Sequence, residues 1–218
     1  MQLVCSWSGG KDSCLALYRA LQAGGTAKCL LTMVNEQNSR SRSHGLEPAF
    51  LQAQARLLNV EHRWCPASWD NYEQVFVHEL RKLAGCGVTH AVFGDIDIAG
   101  HREWEESVCR QAGIQALLPL WRLGRDKVLD QFIDAGFKAV IVVINRELMD
   151  TRFLGRVLDR QTIEELTACG IDPCGEQGEF HTAVVDGPLF ARPLAWQPRG
   201  SVAREAHVFL DIELKEEK

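Results

Sequence analysis

Much is settled by what this chain lacks. No apolar run approaches the roughly 20 residues that a membrane-spanning helix needs, so no span is predicted. No Lys/Arg cluster or basic tail offsets the net charge of −5. A protein that grips many nucleic-acid phosphates needs such a surface, so nucleic acid is disfavoured as a partner. Among the eight cysteines no pair has C-x-x-C spacing, which excludes a zinc ribbon and a thioredoxin-type pair. Cys29 and Cys65 lie inside apolar runs and read as small buried hydrophobes, so reduced thiols are predicted. Met1 leads almost directly into the first apolar run, without the basic segment and cleavage site of a secretory leader. A soluble, cytoplasmic protein is the expectation. Internal repeats and low-complexity stretches are also missing.

What is present is an ordinary globular composition: 218 residues, 46% hydrophobic and 24% charged. That suits one large domain or two small ones with a real core. Short β-like runs at Leu3 to Trp7, Cys29 to Val34, His62 to Cys65 and His90 to Gly94 alternate with helical periodicities. The helices are predicted from Cys14 to Gly24, Glu47 to Val60, Tyr72 to Ala84 and Arg102 to Ala112, with a further apolar run at Ala116 to Trp121. This alternation predicts parallel strands joined by crossover helices: an α/β fold whose open parallel sheet carries helices on both faces over residues 1–122. Ligands of such sheets bind beyond the strands' carboxyl ends, where Ser8 to Ser13, Asn35 to Gly45 and Gly94 to Gly100 fall. Residues 123–218 are less regular. Helices are predicted at Asp126 to Gly136 and Thr162 to Cys169, and a strong strand at Lys138 to Asn145. A polar, glycine-bearing stretch runs from Asp172 to Thr182, and antiparallel strands are expected around Val184, Leu189–Phe190 and His207 to Leu214. This half is expected to form a smaller α+β domain.

The segment Ser8-Gly-Gly-Lys-Asp-Ser13 joins the first strand to the first helix, where unpaired helix N–H groups and the positive dipole end face outward. Gly9 and Gly10 permit φ > 0 and close backbone approach, so consecutive N–H groups can nest an anion. Lys11 adds charge for phosphate oxygens, and Ser8 and Ser13 add hydroxyls. Asp12 suits holding a cation or orienting the loop, and either Asp12 or Ser13 suits the helix cap. Two commoner phosphate loops are excluded by spacing. A Walker A loop needs G-x-x-x-x-G-K-[ST], and Cys5 stands five before Gly10; a dinucleotide fingerprint needs G-x-G-x-x-G, and these glycines are adjacent.

SGGKDS resembles the PP-loop of the ATP pyrophosphatases, a HUP-type superfamily. The resemblance implies ATP cleavage between the α and β phosphates, with Mg²⁺ neutralising charge and a substrate oxygen attacking the α-phosphorus. A wider resemblance rests on Gly94-Asp-Ile96, REWEESVCRQAGI, Pro119-Leu-Trp121, FLGRVLD and GEQGEFHTAVVDGPLF, and these are similar to the diphthine–ammonia ligase family. That family amidates diphthine on elongation factor 2 in archaea and eukaryotes. The resemblance implies a smaller second domain whose loop, here Cys174 to Thr182, faces the ATP site. Glu176, Glu179 and His181 would then bind Mg²⁺, hold an amine, or take its proton. Gly94, Asp95, Gly175, Gly178 and Thr182 would join them around the acceptor substrate, and His44 would contact phosphate or substrate.

The chain departs from the family where GEQGEFHT replaces the usual EGGEFET. His181 then stands where an acid is expected, and a bacterial branch linked to cobalamin-type cofactor salvage resembles this variant more closely. The expected reaction is amide formation from a carboxylate, on a protein or a cobalamin-related metabolite, with ammonia or an amine. A non-catalytic nucleotide-binding module and a tRNA thiolation enzyme are the other readings. The second lacks paired cysteines and a basic face. Arg102, Glu105 and Glu106 are expected as a surface ion-pair group, Trp104 as core, and Cys174 as a conceivable nucleophile without an activating base. Asn35 to Ser43 is a solvated loop or one that orders over a ligand. The oligomeric state stays open, a homo-oligomer being one option.

Overall fold

The computed structural model describes residues 1–36, 41 and 44–215; most of the Asn35 to Ser43 loop thus lies outside the described residues. Five strands, β1 (Gln2–Ser6), β2 (Thr26–Val34), β3 (Glu61–Pro66), β4 (His90–Val92) and β5 (Gln115–Leu117), alternate with four helices. These are α1 (Lys11–Gln22), α2 (Pro48–Leu58), α3 (Tyr72–Gly85) and α4 (Ala99–Ala112). All the pairings are parallel, in the order β3-β2-β1-β4-β5.

The two-residue period of β1 and β2 decides which helices cover which face. Leu3, Cys5, Trp7 and Leu30 enter one apolar cluster with Leu15 of α1 and Leu51 of α2. Val4, Cys29, Leu31 and Met33 point the other way, into a cluster with Phe76 and Leu80 of α3 and Val108 of α4. The chain runs outward from β1 through β2 to β3, then crosses back to place β4 on the other side of β1. That reversal opens a crevice beyond the carboxyl ends of β1 and β4, the usual ligand position in such sheets.

The second half supplies α5 (Arg125–Asp134), β6 (Lys138–Asn145), α6 (Arg160–Ala168), β7 (Phe180–Asp186), β8 (Trp196–Arg204) and β9 (His207–Leu214). Its sheet is antiparallel, in the order β7-β6-β9-β8. From Ala139 to Ile144 β6 is buried without a break, which explains its unalternating apolar sequence. The core on the α1 face continues into this sheet through Phe132, Val140, Ala183 and Val184. Each fully buried Leu or Phe contributes about 1.5–3 kcal/mol, so this shared cluster holds β7 against the loop between β1 and α1.

Three expectations are corrected. Leu189–Phe190 forms a turn, not a strand. The strand that does form is β8, exposed along most of its length and bulged between Pro198 and Gly200, features that hide an edge strand from pattern reading. α4 begins at Ala99, three residues before the predicted start, and takes in Gly100. Neither Asp12 nor Ser13 caps α1: Gly10 is the N-cap with no side-chain cap bond, because Asp12 turns to Lys11 and the Ser13 hydroxyl donates back to Gly10 O. No helix among the described residues is long and apolar enough to cross a membrane. Every cysteine is free, and all but Cys86 and Cys169 are buried.

Candidate active site

The loop after β1 is shaped by what surrounds its glycines. Gly9 has φ +77°, and a Cβ there would lie 2.3 Å from Leu51 Cδ2 and 2.6 Å from Gln54 Oε1. A Cβ on Gly10 would stand 2.3 Å from His44 Cε1. Gln54, wholly buried on α2, is the clamp: its Nε2 donates to Gly9 O (3.0 Å) and Val184 O (2.7 Å), and its Oε1 accepts from Trp7 Nε1 (3.1 Å). Val184 N also donates to Gly9 O at 2.9 Å. The loop is thereby fixed to β7 of the second sheet. The signal for Gln54 was available, since it occupies the buried phase set by Phe50, Leu51 and Ala55.

Lys11 is 4% exposed and holds both halves of the chain. Its backbone N–H donates to Thr182 Oγ1 (3.1 Å), while Nζ donates to Asp12 Oδ2 (2.8 Å) and to Cys174 O and lies 3.8 Å from Glu176 Oε1. Burial alone would lower its pKa; the charge of Asp12, helped by Cys174 and Glu176, wins and raises it to about 12. The ammonium therefore persists at neutral pH. Asp12 Oδ1 is buried with no hydrogen-bond partner among the described residues. Ser8 Oγ and Ser13 Oγ lie 3.1 Å apart, and Gly10 N donates to Ser8 Oγ at 3.3 Å.

β4 ends at the same crevice. A Cβ on Gly94 would fall 2.8 Å from the Asp12 backbone, so only glycine lets β4 approach the start of α1 this closely. Asp95 follows, half-buried, and accepts from His101 Nδ1 at 2.7 Å. The aromatic wall beside it consists of Trp69, Tyr72, Phe93 and Trp104. Trp104 packs its inner side on the α3–α4 cluster but lines the cleft as well, with Nε1 donating to Glu73 Oε2 at 2.9 Å. It is thus only partly the core residue expected. Of the predicted ion-pair group, Arg102 and Glu106 do pair (2.6 Å), whereas Glu105 is buried.

The loop from Asp172 to Thr182 closes the opposite side. Asp172 organises it, accepting from Cys174 N (3.0 Å), Glu176 N (3.2 Å) and Arg125 Nη1. Arg125 also reaches Asp97 Oδ2 (2.8 Å) and so ties the loop to the segment after β4. Arg125 and Asp172 carried no motif that a sequence reading could find. Gly175 and Gly178 adopt φ of +70° and +83°, as the tight turns require. Burial, then the charge of Asp12, pushes the Glu176 carboxyl up to about 7, with Lys11 opposing the rise.

Glu179 does not line the cleft. It is 6% exposed, and its Oε2 accepts from Gln177 N at 3.0 Å, inside the loop. His181 does line it, with its ring 4.7 Å from that of His44. His44 Nδ1 meets Thr182 O at 2.8 Å; a carbonyl only accepts, so the proton sits on Nδ1. Burial lowers both imidazoles, His181 to about 3 with His44 and Lys11 adding to the effect. Both are neutral at physiological pH. Cys174 is excluded as a ready nucleophile: burial raises its thiol to about 12.

Together these residues enclose a cleft of about 540 Å³, within the range of small-molecule sites. It brings together Ser8, Lys11, Asp12, Ser13, His44, Gly94, Asp95, Gly175, Glu176, Gly178, His181 and Thr182. Gly9, Gly10 and Glu179 support it from behind. No cluster of three or more His, Cys, Asp or Glu suited to a metal occurs among the described residues. The donor set nevertheless fits Mg²⁺, which takes one or two carboxylates and completes its shell with phosphate oxygens and water. The buried, unpartnered Asp12 Oδ1 is the carboxylate oxygen that such an ion would use.

Similarity to known proteins extends over both halves of the chain. Residues 1–116 match the family model described as the diphthamide synthase N-terminal domain, and residues 124–216 match the one described as the diphthamide synthase C-terminal domain. A human protein named diphthine–ammonia ligase is 24% identical, covering 97% of this chain and 89% of its own length. A namesake from Schizosaccharomyces pombe is 25% identical over 85% of this chain, but that alignment spans only 34% of the yeast protein. Among solved structures, a chain described as a predicted subunit of tRNA methyltransferase from Methanocaldococcus jannaschii aligns with a TM-score of 0.47 and 17% identity, covering 86% of this chain and 98% of that one. A likeness that distant carries no argument.

Proposed function

Since this chain belongs to the diphthamide synthase family, we propose that it is an ATP-dependent carbon–nitrogen ligase that activates a carboxylate as its adenylate and joins it to ammonia or an amine. The observation that carries this reading is the meeting of Lys11 with Glu176, 3.8 Å apart in one cleft. A phosphate-loop cation and a carboxyl that titrates near neutrality come from opposite halves of the chain. Residues 1–122 hold the nucleotide, and residues 123–218 present the acceptor side.

In the first step Ser8 to Ser13 bind the β and γ phosphates, and Lys11 offsets charge as a carboxylate oxygen bonds to the α-phosphorus and pyrophosphate leaves. Asp12 would hold Mg²⁺, which would supply neutralisation of phosphate charge. In the second step the amine nitrogen bonds to the acyl carbon, AMP leaves, and Glu176 takes the proton that the nitrogen sheds. Neutral His44 and His181 orient the acceptor by hydrogen bonding and bring no like charge against the incoming amine. Catalysis comes from positioning and charge neutralisation, with Gln54 and Glu179 fixing the two loops.

The test is the pH dependence of pyrophosphate release with ATP, Mg²⁺ and ammonium. Diphthine-bearing elongation factor 2 and cobalamin-related carboxylates serve as parallel acceptors. A base must be ionised to act, so turnover should rise with pH up to about 7, where Glu176 titrates, and then level off. Glu176→Gln should flatten that limb and lower turnover by about 10²–10⁴-fold. An unchanged profile in the variant would remove Glu176 from the proton transfer, and silence with both acceptor classes would count against the ligase reading.

A further inference from the structure

α4 carries an acid that the reaction above does not use. Glu105 faces the sheet and is 4% exposed, while Glu103 stays at the surface and Glu106 pairs with Arg102. No ion pair reaches Glu105 among the described residues. Asp95 stands within hydrogen-bonding reach of its carboxyl, and its Oε2 is buried without a donor. Both residues line the cleft. Two ionised carboxylates can only accept, so a bond between them requires a proton on one. Asp95 is half-buried and already accepts from His101 Nδ1 (2.7 Å). Glu105 is the more deeply buried, and burial favours the neutral form.

We propose that Glu105 is a positioning residue that works as a neutral carboxylic acid, its O–H donating to Asp95 and fixing that carboxylate at the edge of the acceptor site. Between them, Glu105 and His101 hold Asp95 from two sides. The cleft then carries one negative charge at this end instead of two, which matters where anionic phosphates and a carboxylate must both enter. The role given to Asp95 rests on the ligase reading; the protonation of Glu105 does not. The groups facing Glu105 are Asp95 from the segment after β4, and Glu106 and Cys109 on α4 itself. Burial first, then the bond to and charge of Asp95, raise the Glu105 carboxyl from its usual 4.5 to about 10. A raised acid contributes stability that is complete below the unfolded value and lost as pH climbs through the folded one.

Glu105→Gln and Glu105→Ala test this. The glutamine amide can donate to Asp95 as the acid does, whereas alanine cannot. In the difference infrared spectrum at neutral pH, the carbonyl stretch of a protonated carboxylic acid should be present in the wild type and lost in Glu105→Gln. The alkaline loss of stability should be flattened in Glu105→Gln while its neutral-pH melting temperature is kept. Turnover should stay close to wild type in Glu105→Gln and fall at least about tenfold in Glu105→Ala, as expected for a misplaced Asp95. Absence of the infrared band, glutamine as damaging as alanine, or an alanine variant of full activity would each overturn the proposal. A chain that shows the band but never releases pyrophosphate would sink the ligase reading and leave the protonated Glu105 standing.

Discussion

Lys11→Ala should abolish acceptor-dependent pyrophosphate release, lowering turnover by at least about 10²-fold, as loss of one preorganised charge at a reacting group does. The cause is visible in how the side chain is held. Its ammonium is buried between Asp12 Oδ2 at 2.8 Å and Glu176 Oε1 at 3.8 Å, and it also reaches Cys174 O. Removing it leaves the Asp12 carboxylate without its cation and lets the Glu176 carboxyl rise further and take up a proton. Breaking a buried pair in this way costs about 3–5 kcal/mol, so the variant should also melt earlier. Glu176→Gln added to Lys11→Ala should change stability little further and recover no turnover, because Glu176 is by then uncharged and the need for the cation remains. Lys11→Arg should not rescue, since a planar five-donor fork does not fit a buried pocket built around a point charge. Steady-state pyrophosphate release and thermal melts on the same samples check all three; wild-type release from Lys11→Ala would remove the loop from the chemistry.

The second large effect is steric. Gly9→Ala should lower stability by about 2–5 kcal/mol, combining the cost of a left-handed non-glycine residue with overpacking. At φ +77° the new Cβ meets Leu51 Cδ2 at 2.3 Å and Gln54 Oε1 at 2.6 Å. Relief requires Gln54 to move, and Gln54 is what ties Gly9 to Val184. Damage therefore passes from the loop to β7 and to the acceptor side. For a chain of this size such a loss lowers the melting temperature by roughly 10 °C, and equilibrium dialysis should show ATP affinity falling with it. Gly24→Ala is the control: φ there is +86° but no atom lies within 4 Å of the added Cβ. It should show the strain alone and leave ATP affinity intact. Equal effects at the two glycines would refute the steric account.

The sequence made the architecture legible wherever burial imposed a period. The alternation of β1 and β2 between two apolar clusters, and the unbroken run of β6, follow from which faces are covered. β8 escaped because an exposed, bulged edge strand carries no apolar alternation. At the site, Lys11, Asp12, Glu176 and His181 were legible through motif and resemblance, and the structure brings them to one cleft. Glu179 was read as facing the ligand, yet its carboxylate turns into the loop to meet Gln177 N. Local hydrogen bonding decided that orientation, and spacing does not reveal it. Glu105 and Gln54 carry the sharper lesson. Glu105 begins the buried stripe completed by Val108, Cys109 and Ala112, and Gln54 sits on the buried phase of α2. A polar residue on the apolar face of a helix needs a partner: Gln54 finds Gly9, Val184 and Trp7 behind the cleft, and the partner proposed for Glu105 is Asp95.

A pyrophosphate cradle at SGGKDS requires that ATP be cut between its α and β phosphates. Incubation with Mg²⁺, ammonium and a competent acceptor, using ATP labelled in the γ-phosphate, tests this most directly. Label recovered in pyrophosphate, with AMP formed in equal amount and both lost in Lys11→Ala, is the result the account predicts. Label recovered as orthophosphate with matching ADP would contradict it.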